Sequence, residues 1–202
     1  MKKKIQWILF FVCILVVTVG LTVPIQAAKK RAVKVKYKTY IENGLYERML
    51  VKGLNSKNEV VWKYRTPKFV ATELDATKCV QRKKQNRVYV FEDDRVVVFR
   101  LSDGKKLWIA EVSRKEHVYN FDEQNNLYVT GYYDQAVYKI SPNGKRIWKN
   151  SLKGTDYYWA YKILIRKKNI IILYGNDNFD GKVFFSRKTG KIQKVIGGRT
   201  WR

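Results

Sequence analysis

Arg87-Val88-Tyr89-Val90-Phe91-Glu92-Asp93-Asp94-Arg95-Val96-Val97-Val98-Phe99-Arg100-Leu101-Ser102-Asp103-Gly104-Lys105-Lys106-Leu107-Trp108 contains three apolar runs of strand length, cut by two turns. The first turn is the carboxylate-rich Glu92-Asp93-Asp94. The second is Asp103-Gly104, where glycine supplies the left-handed conformation of a tight hairpin and the aspartate before it supports the same turn. The stretch reads as a meander of antiparallel strands closed by a tryptophan.

The same phrase returns from Leu127 to Trp148 and from Ile170 to Gln193, with a weaker copy from Tyr46 to Trp62. Its closing elements are Ser102-Asp103-Gly104-Lys105-Lys106-Leu107-Trp108, Pro142-Asn143-Gly144-Lys145-Arg146-Ile147-Trp148 and Lys188-Thr189-Gly190-Lys191-Ile192-Gln193. The weaker copy closes with Ser56-Lys57-Asn58-Glu59-Val60-Val61-Trp62. Aligning Trp62, Trp108, Trp148 and Gln193 gives spacings of 46, 40 and 45 residues. A period near this length with four strands per unit marks a β-propeller blade. Each tryptophan is expected to bury its flat surface against the neighbouring blade, and Gln193 in its place marks an atypical terminal blade.

Apolar residues elsewhere also come in alternating or continuous short runs, β-branched and aromatic residues dominate, and no amphipathic helix pattern is present. The expected fold is all-β, a small β-propeller of about four four-stranded blades after an N-terminal signal peptide, with blades over roughly 33–66, 67–113, 114–153 and 154–198. Two closures are open to it. The Val33 to Tyr40 strand completes the last blade, or the blades form an open arc whose edges pair with another copy.

The leader is of different material. Lys2-Lys3-Lys4 precede a nearly uncharged run from Ile5 to Val23, then Pro24 and the small Ala27-Ala28. This is a secretory signal over residues 1–28, cleaved after Ala27 or Ala28; the alternative is an uncleaved anchor, since the apolar run approaches the length that spans a bilayer. Both readings put residues 29–202 outside the cytoplasm, secreted or at the cell surface. Cys13 lies in the leader and Cys79 stands alone after it, so no intramolecular disulfide is expected.

Lys+Arg number 42 against 17 Asp+Glu, a net charge of +25. Loss of Lys2, Lys3 and Lys4 with the leader leaves +22. Such a charge draws a protein to polyanions. The expected partners are an anionic cell-envelope polymer or an acidic protein surface, with extracellular nucleic acid as a non-specific third and a homo-oligomer through open blade edges as a fourth. Candidate anion-binding residues are Lys34, Lys36 and Lys38, which alternate with Val33, Val35 and Tyr37, and the basic turns Arg82-Lys83-Lys84 and Arg166-Lys167-Lys168. The plain reading of the lysine ladder is a solvated strand face that discourages edge-to-edge aggregation; the functional reading is an anion-binding ridge.

The apolar strand followed by Gly-Lys-x-x-Trp resembles the pyrroloquinoline-quinone-binding-like (quinoprotein-type) propeller repeat, over most of Tyr46 to Ile196. That family includes quinoprotein dehydrogenases and non-enzymatic envelope propellers, and the resemblance implies the fold while leaving function open. Many of the dehydrogenases place the cofactor over an adjacent cysteine pair, beside calcium and a catalytic aspartate. A chain with the single Cys79 after its leader departs from that pattern, so the expectation is a non-catalytic binding or scaffold module of the envelope type, with no cofactor, no metal and no catalytic residue.

Three other features carry weaker chemistry. Asn176-Asp177-Asn178-Phe179-Asp180-Gly181 imitates a calcium loop, but Arg187 stands where its glutamate belongs, and the residues suit a hairpin turn. His117 is the only histidine, which excludes a two-histidine metal site within one chain. It supports one alternative function, an enzyme acting on a sugar or sulfate ester in the propeller mouth. Tyr132-Tyr133 and Tyr157-Tyr158-Trp159-Ala160-Tyr161 offer aromatic platforms suited to sugar faces or unpaired bases.

Overall fold

Strand formation follows the alternation in the sequence. The computed structural model describes residues 30–70, 77–114, 117–131, 136–151, 159–176 and 179–197. The chain divides into two compact units, residues 1–30 and 31–202, and every strand described lies in the second. The leader, Tyr132-Tyr133 and Tyr157-Tyr158 lie outside the described residues.

Among the described residues sixteen strands form four antiparallel sheets. The first sheet holds β1 (Lys34–Glu42), β2 (Tyr46–Leu54), β3 (Val60–Arg65) and the two-residue β4 (Phe69–Val70). The second runs β5 (Lys78–Arg82), β6 (Arg87–Glu92), β7 (Arg95–Arg100), β8 (Lys106–Glu111). The third runs β9 (Val118–Phe121), β10 (Leu127–Thr130), β11 (Ala136–Ile140), β12 (Arg146–Ser151). The fourth runs β13 (Trp159–Ile165), β14 (Asn169–Asn176), β15 (Phe179–Ser186), β16 (Ile192–Ile196). Among the described residues the only helical turn is a short 3-10 segment at Lys83–Gln85. The fold is the four-bladed β-propeller that the repeat predicts.

Three apolar cores hold the sheets together. The first-to-second joint contains Met49, Val51 and Trp62 against Val88, Val90, Val97 and Phe99. The second-to-third joint contains Tyr89, Phe91, Val96 and Val98 against Leu127, Val129, Tyr138 and Ile140. The third-to-fourth joint contains Tyr128, Val137 and Trp148 against Ile170, Ile172, Val183 and Phe185. Each such buried aliphatic or aromatic side chain contributes roughly 1.5–3 kcal/mol relative to exposure. Among the described residues no fourth core joins the last sheet to the first.

The repeat signature works across joints. Trp62 Nε1 donates to the Leu101 carbonyl at 2.7 Å, Trp108 Nε1 to that of Pro142 at 2.8 Å and Trp148 Nε1 to that of Arg187 at 3.3 Å. Each indole lies flat on the glycine of the following sheet's turn: a Cβ on Gly104, Gly144 or Gly190 would fall 2.5, 2.7 or 2.6 Å from it. These glycines also hold positive φ. Glycine is thus required twice, for the turn and for the tryptophan of the preceding sheet.

Both ends of the array lack their half of this pair. The first sheet, which among the described residues receives no tryptophan, has Asn58 (φ 65°) where the others have glycine. In the last sheet the register corrects the sequence alignment. A bulge after each turn sets Gly53 opposite Trp62, Val98 opposite Trp108 and Lys139 opposite Trp148, and the same bulge sets Phe184 opposite Lys194. The tryptophan's counterpart is therefore Lys194, and Gln193 is the bulge residue, like Val61, Leu107 and Ile147.

A further expectation is corrected. The Val33 to Tyr40 strand pairs with β2 in the first sheet rather than completing the last blade, because Asn43-Gly44, both at positive φ, turn it back into a tight hairpin. The first sheet extends to Val70. Pro67 interrupts the ladder, Thr66 Oγ1 accepts the Met49 N–H at 2.8 Å, and β4 resumes pairing with β2 at Tyr46 and Glu47.

Candidate functional site

The joints define which face of each sheet receives its predecessor. In the second sheet that face carries the cross-strand pairs Val88/Phe99 and Val90/Val97; in the third, Leu127/Ile140 and Val129/Tyr138; in the fourth, Ile170/Phe185 and Ile172/Val183. All twelve side chains are buried. The corresponding pairs in the first sheet are Lys34/Leu54 and Lys36/Lys52. Three of four core positions there are lysines.

Register gathers more cations on the same face. Lys36, Lys52 and Lys63 form one row across β1, β2 and β3, and Lys38, Leu50 and Arg65 form the next. Neighbouring strands stand about 4.8 Å apart and alternate residues about 6.8 Å apart along a strand, so this is a grid of positive charge. Like charges directly opposite one another destabilise a sheet. None of Lys34, Lys36, Lys38, Lys52, Lys63 and Arg65 has an acidic partner among the described residues. At the rim of this face Glu42 is already engaged: Lys68 Nζ lies 2.8 Å and Arg48 Nη1 3.2 Å from its carboxylate. The Lys68 hydrogen bond, with that of Arg48, holds the carboxyl below its usual range.

A shallow cavity of about 440 Å³ on this face is lined by Lys36, Lys38 and Lys52 together with Leu50, Leu54 and Val60, and also by Tyr37 and Asn58. A lining of apolar groups mixed with ammonium groups can take an extended anionic chain, with the lysine stems packing on its apolar parts.

The other candidates separate. Arg82 is committed internally: its guanidinium stacks 4.3 Å from the Phe121 ring and its Nη2 donates to Asn125 Oδ1 at 2.8 Å, tying the second sheet to the third. Lys83 and Lys84 are exposed on the turn between β5 and β6, and Arg166, Lys167 and Lys168 on the turn between β13 and β14. Neither turn belongs to the lysine face. Sequence alone does not single out Lys52, Lys63 and Arg65, although the alternation of β2 and β3 carries the signal once their register to β1 is known.

His117 is 2% exposed, beside the Phe91 ring, with Nε2 2.9 Å from the Ser113 carbonyl. That nitrogen carries the proton and donates it. Burial lowers its pKa to about 4, so it is neutral and without access to a dissolved substrate. Burial likewise pushes the Cys79 thiol up to about 12, which makes it inert. Glu92, fully buried, accepts from Tyr64 Oη and Arg95 Nε, each at 2.5 Å, and fastens the first sheet to the second.

Within the calcium-like sequence Asn176 pairs with Phe179, and Asp177 and Asn178 lie outside the described residues. Arg187, at its would-be glutamate position, bridges Asp122 at 3.1 Å and Glu123 at 2.6 Å. Among the described residues no group of three or more His, Cys, Asp or Glu is placed to hold a metal ion.

Neither a protein-family model nor a curated protein sequence matches the chain. Solved structures do, as β-propellers. BamB from Moraxella catarrhalis is 13% identical, with a TM-score of 0.49 over 79% of this chain and 48% of its own. A europium-containing methanol dehydrogenase is 13% identical, with a TM-score of 0.48 over 78% and 40%. Virginiamycin B lyase from Staphylococcus aureus is 12% identical, with a TM-score of 0.46 over 79% and 58%. The chain spans roughly half the length of these proteins. At such identity the likeness is one of fold.

Proposed function

We propose that the chain is an exported, non-catalytic β-propeller module of the quinoprotein-type repeat that binds an anionic partner at the cell envelope. The observation that carries this reading is the exchange of core residues for Lys34, Lys36 and Lys52 on the free face of the first sheet. A face that only had to be soluble could alternate charges of both signs. This one concentrates a single sign among apolar groups, at a cost in cross-strand repulsion that a polyanion relieves.

The enzymatic alternative through His117 loses support from the burial of that side chain. A head-to-tail homo-oligomer is also disfavoured. The free face of the last sheet carries Lys162, Lys182 and Lys194 beside Leu173 and Phe184, and would meet the first sheet's lysines.

Co-sedimentation of the full-length chain with isolated cell envelopes across a salt series tests the proposal. Binding is expected to fade steeply with salt, as screening dictates, and to be weakened by Lys36→Gln with Lys52→Gln. Salt-insensitive binding unaffected by these substitutions would contradict it.

A further inference from the structure

Among the described residues the first sheet, rich in lysine, leaves empty a strand position that the other three sheets fill. Trp62, Trp108 and Trp148 occupy β3, β8 and β12, which makes β2, β7 and β11 equivalent, and likewise β1, β6 and β10. The second, third and fourth sheets each begin with one more strand, β5, β9 and β13, paired antiparallel to the next. The first sheet has no counterpart to it among the described residues; β4 pairs on the opposite side of β2, in line with β3.

The edge this leaves on β1 is partly answered by a side chain. Val35 N–H points away from β2 and donates to Gln81 Oε1 at 2.9 Å, while Gln81 Nε2 donates to the Val33 carbonyl at 3.2 Å. A glutamine on β5 thus imitates one residue of a strand. The period of two turns the N–H and C=O of Tyr37, Thr39 and Ile41 toward the same edge. Beyond Gln81 nothing among the described residues pairs with them. Tyr37 and Ile41 are 52% and 61% exposed.

The two faces flanking this edge specify its occupant. Lys36 and Lys38 stand on one face, Tyr37 and Ile41 on the other. A strand laid along it would set alternate side chains against lysines and against apolar and aromatic groups. We infer that an extended segment of a partner polypeptide, alternating acidic and apolar residues, completes the first sheet as an antiparallel strand on Tyr37–Ile41. This rests on the reading of the lysine face as anion-binding and adds backbone hydrogen bonding to it. A second copy of the chain is a poorer occupant, since its own edge strand β16 brings Lys194, and no acid, to the lysines.

The experiment is calorimetric titration of the full-length chain with an alternating Glu-Val octapeptide. Controls are the same peptide N-methylated on the residues facing β1, and inorganic polyphosphate. The Thr39→Pro variant removes one outward N–H while leaving the ladder to β2 intact. The alternating peptide is expected to bind, and N-methylation or Thr39→Pro to weaken it at least tenfold with polyphosphate binding unchanged. Equal affinity for the N-methylated peptide overturns the strand inference on the unaltered protein, whatever the folding of the variant. Polyphosphate binding without peptide binding also overturns it and leaves the lysine face standing. Failure of both ligands overturns the lysine-face reading and the inference with it.

Discussion

The second sheet and the first share one backbone plan and differ in what they present to the preceding position in the array. Val88, Val90, Val97 and Phe99 of the second are all buried, while of their counterparts in the first only Leu54 is buried and Lys34, Lys36 and Lys52 are partly or fully exposed. Identical pairing therefore supports a packing face in one case and a charged face in the other. The comparison teaches that the ladder sets where side chains point, and composition at a few register positions sets whether the face is a joint or a surface.

Moving a lysine into the joint should break the comparison most severely. Val90→Lys places an unpaired charge at a fully buried site, and a loss of about 3–5 kcal/mol is expected in denaturant unfolding. Trp148→Ala should cost about 3–5 kcal/mol by emptying a joint, whereas Lys194→Ala, at the equivalent place on the free face, should stay within about 0.5 kcal/mol.

The joint should also respond to pH where the lysine face does not. The buried imidazole of His117 has its pKa lowered to about 4, below its ordinary value. Above about pH 6.5 it is neutral folded and unfolded; below that the unfolded chain gains a proton that the folded one refuses. Stability should fall by up to about 3 kcal/mol as pH drops from about 6.5 to 4, a slope that His117→Gln flattens. The smallest expected effect is the reverse exchange. Lys36→Val with Lys52→Val should leave stability unchanged or raise it by roughly 0.5–1 kcal/mol, since it relieves a like-charge pair on an exposed face. A large loss there would mean that the lysines are part of the folding core.

The array is legible in the sequence because its determinants are local. Alternation, Asn-Gly and Asp-Gly turns and recurring tryptophans all lie within a few residues of one another. The end of the array is misaligned by one residue when Gln193 is set against Trp148, because a bulge shifts register without leaving a mark in composition. For the same reason Lys34, Lys36 and Lys38 are visible as a ladder while Lys52 and Lys63 are not, since they join only through cross-strand register. The tie of Arg82 to the third sheet is not legible in the sequence because its partners Phe121 and Asn125 lie about 40 residues away. The pairing of each glycine with the preceding sheet's tryptophan is likewise invisible in single copies, and explains why Asn58 is tolerated only in the first.

The most direct test of the lysine face compares polyphosphate binding by the full-length chain with that of two variants across a salt series. One carries Lys34→Gln, Lys36→Gln and Lys52→Gln; the other carries Lys83→Gln, Lys84→Gln and Lys167→Gln on the basic turns. The first should lose affinity at least tenfold, with a salt slope shallower by about one per lysine removed, and the second should change little. Equal losses in the two would show that net charge alone attracts the polyanion, and would contradict the account.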